Sequence, residues 1–526
     1  MSLQVFNTLT KKKEPFQPIE PGKVSMYVCG VTVYDYCHVG HARCYVAFDV
    51  VQRWLRANYE LTFVRNFTDV DDKIIRRANE TGEDPIALAS RFVDAFHEDM
   101  DALGVQKADE EPRVSEVIDD IANFVNVLVE KEFAYRVPAD TGVEGAGDDV
   151  YFRVRKFPTY TDLSGRNLED MRSGARVDVD DRKEDPLDFA LWKAAKPGEI
   201  SWGSPFGQGR PGWHIECSVM SKKHLGKTFD IHGGGKDLIF PHHTNEIAQS
   251  ECAHGGEKYV NYWMHNGFVN VEATEEGGDE HVEEIVDEDG NVVRVQKMSK
   301  SLDNFFSIRE VLERFSPEAL RWFLLTTHYR APLAFGPRHL EEAERRVQYL
   351  YETLEKVAEY VKEFEPRDGD DLETIFSTDD KKFVPLIDFE TAMDDDFSTP
   401  RALASFYEML KVANALVSAR EKEIIGRKLK AADRARLLTE WQGTIEKMTC
   451  ILGVGEADAA TYLQRQRDLR CRVLGLDAAA IEALVQERFL ARQAKDFDRS
   501  DALRQQLTEM KVEVRDTPAG STWNLA

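Results

Sequence analysis

Residues Tyr27–Val51 read YVCGVTVYDYCHVGHARCYVAFDVV. An apolar, β-rich run, VSMYVCG, ends on Cys29 and Gly30, and within a dozen residues His38-Val39-Gly40-His41 opens a segment of helical periodicity. Val46, Val50, Val51, Trp54 and Leu55 fall on one helical face. LTFVRNFT then reads as a second strand, and DVDDKIIRRANE as a helix with carboxylates in its first turn, where they complement the dipole. Strands that alternate with helices predict a parallel α/β sheet. The turn after Cys29 then lies at a strand's carboxyl end, where such sheets bind ligands.

The α/β pattern runs on unevenly. A helical stretch from about Pro112 to Arg136 leads into a polar segment, SGARVDVDDRKEDPLDFALWK, that reads as an insertion. The pattern resumes with RPGWHIECSVM and FDIHGGGKDLIFPHHTNEIAQSE. After Arg330 the sequence turns helical, beginning with HLEEAERRVQYLYETLEKVAEYVKEF and continuing to about Met510. At 526 residues, a prior of about 150 per domain gives roughly three or four domains. MSLQVFNTLTKKKEP has no apolar h-region and no apolar run reaches a membrane span, so a cytoplasmic protein with no membrane partner is expected. Seven scattered cysteines (29, 37, 44, 217, 252, 450, 471) argue for reduced thiols, some of them candidate metal ligands.

Cys29, Cys217, His242 and Glu246 are two thiols, an imidazole and a carboxylate, a coherent set for zinc. Pro241 suits the first position of a helix, which puts His242 and Glu246 four apart on one face. Spacing leaves two readings open, since buried cysteines also serve as small hydrophobes and an i,i+4 His–Glu pair as a surface hydrogen bond. The His38–His41 turn at a helix start suits phosphate, with free backbone N–H groups and a glycine that lets a ligand approach. KMSKS, Lys297–Ser301, adds two lysines and two serines about 260 residues later.

His-x-Gly-His followed by Lys-Met-Ser-Lys-Ser resembles the class I aminoacyl-tRNA synthetase signature, in which both motifs grip ATP across a Rossmann crevice. FNTLT, MYVCGVTVYD, RNFTDVDDKIIRRANE, GARVDV, RPGWHIECS, FDIHGGGKDLIFPHHTNEIAQSE, YWMHNG, KMSKSLDN, MDDDFSTP and a late Asp-Ala-Leu-Arg at 501–504 are similar, in order, to the cysteinyl-tRNA synthetase family. The resemblance implies a Rossmann-type parallel-sheet catalytic domain, with its first half at 1–120 and its second at 200–271. A connective-peptide insertion would occupy 121–199. Residues 272–335 would hold an acidic insertion, the KMSKS loop and a stem-contact region, and 336–526 a helical anticodon-binding domain.

The same resemblance implies one Zn²⁺ held by Cys29, Cys217, His242 and Glu246 in the amino-acid pocket. Thr68, Trp213 and His232 would line that pocket. Gly30, His38, His41, Asp237 and Lys300 would bind ATP with its Mg²⁺, with Lys297 beside them, and His38, His41, Lys297 and Lys300 would be the catalytic set. The implied reaction makes cysteinyl-adenylate from L-cysteine and ATP and passes cysteine to the 3′ end of tRNA(Cys). No protein nucleophile is needed, because the substrate carboxylate attacks the α-phosphate and the enzyme positions and stabilises charge. Zinc-bound thiolate would separate cysteine from serine without an editing domain, where a plain pocket discriminates poorly between near-isosteres.

A ligase that passes activated cysteine to an amino sugar would share these motifs but lack the helical third of this chain. A zinc module without catalysis would need neither Lys300 nor the paired histidines. Monomer and dimer both remain open. The chain departs from the family pattern twice. EEGGDEHVEEIVDEDGNVVRV before KMSKS is longer than expected, and EEIVDEDGNVV with its Asp-Gly reads as a hairpin extension, with a disordered acidic loop as the other reading. GSTWNLA at the C-terminus keeps a tryptophan but lacks terminal basic residues.

Net charge is the remaining oddity: 68 basic against 94 acidic residues give −26, in a chain expected to bind a polyanion. At about 1 M salt the Debye length is about 3 Å, so repulsion of tRNA is screened while the acidic surface preserves solubility. Counterion release also contributes little to binding at such salt. The sequence therefore predicts maximal stability and tRNA charging at molar KCl, suited to a salt-rich cytoplasm. Melting and aminoacylation followed from dilute buffer to multimolar KCl check this, and maxima in dilute buffer would overturn it.

Overall fold

The apolar run ahead of Cys29 forms strand Lys23–Val28, the centre of a four-stranded sheet ordered Val260–Asn266, Phe229–Gly235, Lys23–Val28, Glu60–Arg65. Every pairing in it is parallel, with Val28 opposite both Gly233 and Arg65. The carboxyl ends of these strands therefore line up, and Cys29, Gly235 and Asn266 emerge at one edge. Helix Val39–Asn58 crosses from the centre of the sheet to its edge strand. It is buried on nearly every face, polar residues included. Asp49 pairs with Arg53 at 2.8 Å, and both side chains are buried. The computed structural model describes residues 2–139, 141–143, 145–168, 181–272, 282–286, 292–297, 306–364, 366, 371–377, 383–418, 429–517 and 520–525.

Two further sheets extend the same unit. The insertion is an antiparallel sheet of Ala134–Pro138, Asp148–Phe152, Phe189–Ala194 and Gly209–Pro211. GARVDV at 174–179 lies outside the described residues. The acidic stretch supplies strands Val282–Val286 and Val292–Lys297, paired antiparallel as the hairpin reading expects. The second of these pairs with Val269–Glu272, which pairs in parallel with Leu333–Phe335.

Contacts divide the chain into two compact units that do not follow its order. The first holds Met1–Ile308, Leu324–Gly336 and Pro385–Ser405, and the second Arg309–Phe323, Pro337–Val384 and Phe406–Ala526. Two buried charges fasten the later segments of the first unit. Arg43, fully buried, donates to the carbonyls of Leu324, Thr327 (3.1 Å) and His328 (2.7 Å). The Asp396 carboxylate, also buried, accepts from Phe6 N (2.9 Å), Tyr329 Oη (3.0 Å) and Arg330 Nε (2.7 Å).

The second unit is mainly helical, with Pro337–Glu363, Ala431–Leu452, Ala459–Leu474, Ala478–Gln493 and Phe497–Glu509 its long members. Tyr351 stacks on Tyr462 at 3.8 Å. The end of the chain is not helical. Val512–Thr517 pairs antiparallel with Gly520–Leu525, burying Val512, Trp523 and Leu525 against Ile481 and Val485. Trp523 thus belongs to a core, its Nε1 donating to Glu482 at 2.6 Å. Among the described residues, no helix is long and apolar enough to cross a membrane.

Replacing Asp396 by alanine strands Arg330 and two other donors at once. The expected loss of stability is roughly 3 kcal/mol, read as a clear fall in the melting temperature of the first unit. An unchanged melt would show that the clasp contributes nothing.

Candidate active site

Cys29, at the end of the central strand, meets residues from two helices. Ile215–Leu225 brings Cys217 near its start, and Thr244–Ala253 brings Glu246. Pro241 does not start that helix. A π-helical turn over Ile239–His243 precedes it, and His242 reaches Glu246 across the junction. The ligating atoms of Cys29, Cys217, His242 and Glu246 all lie within 4.8 Å of one another, and all four residues are buried. The Sγ atoms are 3.7 Å apart, close to the edge of about 3.8 Å for two thiolates at 2.3 Å from a tetrahedral centre. Glu246 Oε1 is 3.7 Å from Cys29 Sγ and 3.1 Å from His242 Nε2. A second set, Cys29, His232, His243 and Glu246, meets the same distance condition.

The two oxygens of Glu246 face different partners. Oε2 is 2.9 Å from His232 Nε2 and accepts from Tyr259 Oη at 3.1 Å, while Oε1 faces the thiols and His242. Outer contacts of this kind orient metal ligands. His232 stacks on Trp263 at 4.6 Å, Trp213 stacks on His242 at 4.6 Å, and the Nδ1 atoms of His214 and His242 are 3.2 Å apart. Burial pushes the Cys29 thiol well up, whereas the hydrogen bond from Cys29 pulls Cys217 down to about 6. Against the burial that opposes it, His232 and His242 keep Glu246 below its usual value. Burial, with His232, His265 and His242, keeps His243 a neutral base.

A cleft of about 390 Å³ opens beside Cys29 and takes in Gly30, His38, His41, Trp213 and Asp237. Gly30 is required there, because a Cβ would come 1.5 Å from the Asn66 carbonyl oxygen. His38 caps the Val39–Asn58 helix, its Nδ1 accepting from Gly40 N at 3.0 Å, and His41 Nδ1 accepts from His38 N at 3.3 Å. The rings stack at 3.8 Å. An accepting Nδ1 places the ring proton on Nε2, so each histidine is a donor at that atom. These Nε2 donors suit phosphate oxygens.

Of the other expected pocket residues, Trp213 lines the cleft, 38% exposed. Thr68 and His232 lie one layer behind it. Thr68 Oγ1 donates to buried Glu216 at 3.1 Å, and His232 holds Glu246. The backbone of Lys297 ends strand Val292–Lys297, opposite Asn270. Lys300 lies outside the described residues. The sequence reading missed Asn66, whose Oδ1 accepts from Gly30 N at 2.9 Å and lies 3.7 Å from Cys217 Sγ. It also missed Tyr259, and His243, whose Nδ1 is 2.8 Å from His265 Nε2. The one available signal was that Asn66, His243 and His265 fall within motifs already singled out.

Comparison with known proteins follows the same lines. The family model described as tRNA synthetases class I (C) catalytic domain matches residues 15–278 and 273–345. A DALR domain matches 388–454, and a cysteinyl-tRNA ligase anticodon binding domain 476–523. The cysteine–tRNA ligase of Anaeromyxobacter dehalogenans strain 2CP-C is 51% identical over 530 residues, covering all of both chains. That of Geotalea daltonii is 46% identical over 533 residues, again covering both in full. Among solved structures, methionyl-tRNA synthetase of Mycobacterium tuberculosis with methionyl-adenylate aligns with a TM-score of 0.55 at 17% identity. It covers 87% of this chain and 94% of its own, a likeness of fold.

Proposed function

The chain belongs to the cysteinyl-tRNA ligase family of class I synthetases, and on that premise we propose that it activates L-cysteine with ATP and charges tRNA with it. The observation that carries the reading is the meeting of Cys29, Cys217, His242 and Glu246 at the edge of the cleft that holds the His38–His41 turn. An amino-sugar acceptor has no support, since the DALR and anticodon-binding domains both match and full-length relatives are cysteine–tRNA ligases.

The donor set fits zinc, with two sulfurs, an imidazole and one carboxylate oxygen in a dry site. Cys29, Cys217, His242 and Glu246 would hold the metal, and it would supply a Lewis acid that favours a sulfur ligand, as thiolate, over the oxygen of serine. The protein's own groups do the rest. Tyr259 and His232 hold Oε2 of Glu246 so that Oε1 faces the thiols. Asn66 ties the Gly30 backbone to the Cys217 side of the cluster, fixing the amino-acid pocket against the floor of the ATP site. His38 and His41, proton on Nε2, donate to phosphate oxygens as charge builds on the α-phosphate. Lys297 and Lys300 complete the charge stabilisation from the signature loop, with Asp237 at the ATP site. Mg²⁺ accompanies ATP.

Cysteine-dependent exchange of pyrophosphate into ATP, repeated with serine and followed by tRNA charging, tests the reading. Exchange with cysteine alone is expected, and its absence overturns the proposal. The purified chain is expected to hold one zinc. Cys29→Ser should raise KM for cysteine far more than KM for ATP. Tyr259→Phe, which removes one of the two contacts to Glu246 Oε2 and the hydroxyl that meets Ser221, should weaken metal affinity about tenfold, measured by competition with a chelating dye. Zinc-free wild type, or normal cysteine binding after Cys29→Ser, contradicts the metal assignment.

A further inference from the structure

Lys73 stands in the first turn of helix Asp72–Thr81 and lines the same cleft as His38, Gly40 and His41. It follows DVDD, three carboxylates in four residues, and each of the three is committed elsewhere. Asp69 accepts from Ser115 N at 3.0 Å and Ser115 Oγ at 2.5 Å. Asp71 caps the helix through the backbone N–H of Lys73 itself, at 2.8 Å. Asp72 is paired with Lys193 at 2.8 Å and with Arg210. Among the described residues, the Lys73 ammonium therefore has no carboxylate partner. It lies 5.4 Å from the ring centroid of Tyr34, which also lines the cleft.

Lys73 is exposed, and its charge is left to the cleft it lines. Lys73 is the only lysine or arginine among the described residues lining this cleft. Among the described lining residues, the other groups suited to phosphate are the neutral Nε2 donors of His38 and His41. The Tyr34 ring attracts the ammonium and limits where it can swing, so less order is lost on binding.

We propose that Lys73 binds the phosphate chain of ATP and, in the reverse direction, pyrophosphate. This rests on the reading of the cleft as a cysteine-activating site. A lysine-to-phosphate contact is charge-assisted, and losing one costs roughly 10- to 100-fold in affinity. Because the Asp71 cap uses the Lys73 backbone, changing the exposed side chain leaves the helix start intact.

The test uses the full-length chain, with Lys73→Ala and Lys73→Arg beside wild type. Binding of a non-hydrolysable ATP analogue is measured by calorimetry, KM for ATP, pyrophosphate and cysteine by exchange, and KM for tRNA by charging. Lys73→Ala should weaken the analogue, ATP and pyrophosphate by about tenfold or more, with KM for cysteine and the melting temperature unchanged. Lys73→Arg should restore most of the loss. Loss confined to KM for tRNA would assign Lys73 to tRNA phosphates, and loss confined to cysteine to the substrate carboxylate. Either result overturns the proposal, as does no change at all. If wild type lacks cysteine-dependent exchange, the functional reading falls, while calorimetry still decides the Lys73–phosphate contact.

Discussion

A carboxylate with no access to water, that of Glu246, sets the geometry at the strand ends. Burying a charge is costly unless it is paired and hydrogen-bonded. Here one oxygen is held by an imidazole and a phenol, and the other is turned toward two thiols and a second imidazole. The partners of Oε2 are themselves fixed, His232 by the face of Trp263 and Tyr259 by a 2.7 Å contact with Ser221 Oγ. The position of Oε1 is thus decided by packing two layers deep. It is this preorganisation that lets a central strand and two helices, remote in sequence, present one set of donors.

The cleft beside that cluster has two walls, and one segment braces both. Arg43, two residues beyond His41, grips the carbonyls at Leu324, Thr327 and His328, holding the histidine-bearing helix. On the other wall, Gly267 N donates to Tyr329 O at 2.7 Å, and a Cβ at Gly267 would come 2.1 Å from the Ala331 oxygen. Asp396 holds Tyr329 and Arg330 from outside. A disturbance in residues 324–331 therefore reaches both sides of the cleft.

Much of this was legible because the chemistry is concentrated in short motifs at strand ends. The thiol, the glycine and the paired histidines occupy one turn, and the parallel sheet follows from the strand–helix alternation around it. What was not legible depends on distant packing. Nothing in His242-His243 says which ring faces Cys217 and which lies against His265. Tyr259 reads as a core aromatic until its hydroxyl is placed. Residues 385–405 continue a helical composition, yet they pack with the first unit, where Phe6 N, Tyr329 and Arg330 hold the Asp396 carboxylate. The strand pair at the C-terminus escaped notice because its core partners lie in helices some thirty to forty residues earlier.

The acidic hairpin before Lys297 has a structural property of its own. Its rungs run from Val286–Val292 at the far end to Val282–Gln296, and the strand that closes it also pairs Lys297 with Asn270. Strand register repeats every two residues. Adding or deleting one matched pair at the far end would lengthen or shorten the arm while leaving every rung nearer the root in place. The arm behaves as a telescoping spacer fixed at its base. Its charged length can change without moving the base, where Lys297 pairs with Asn270.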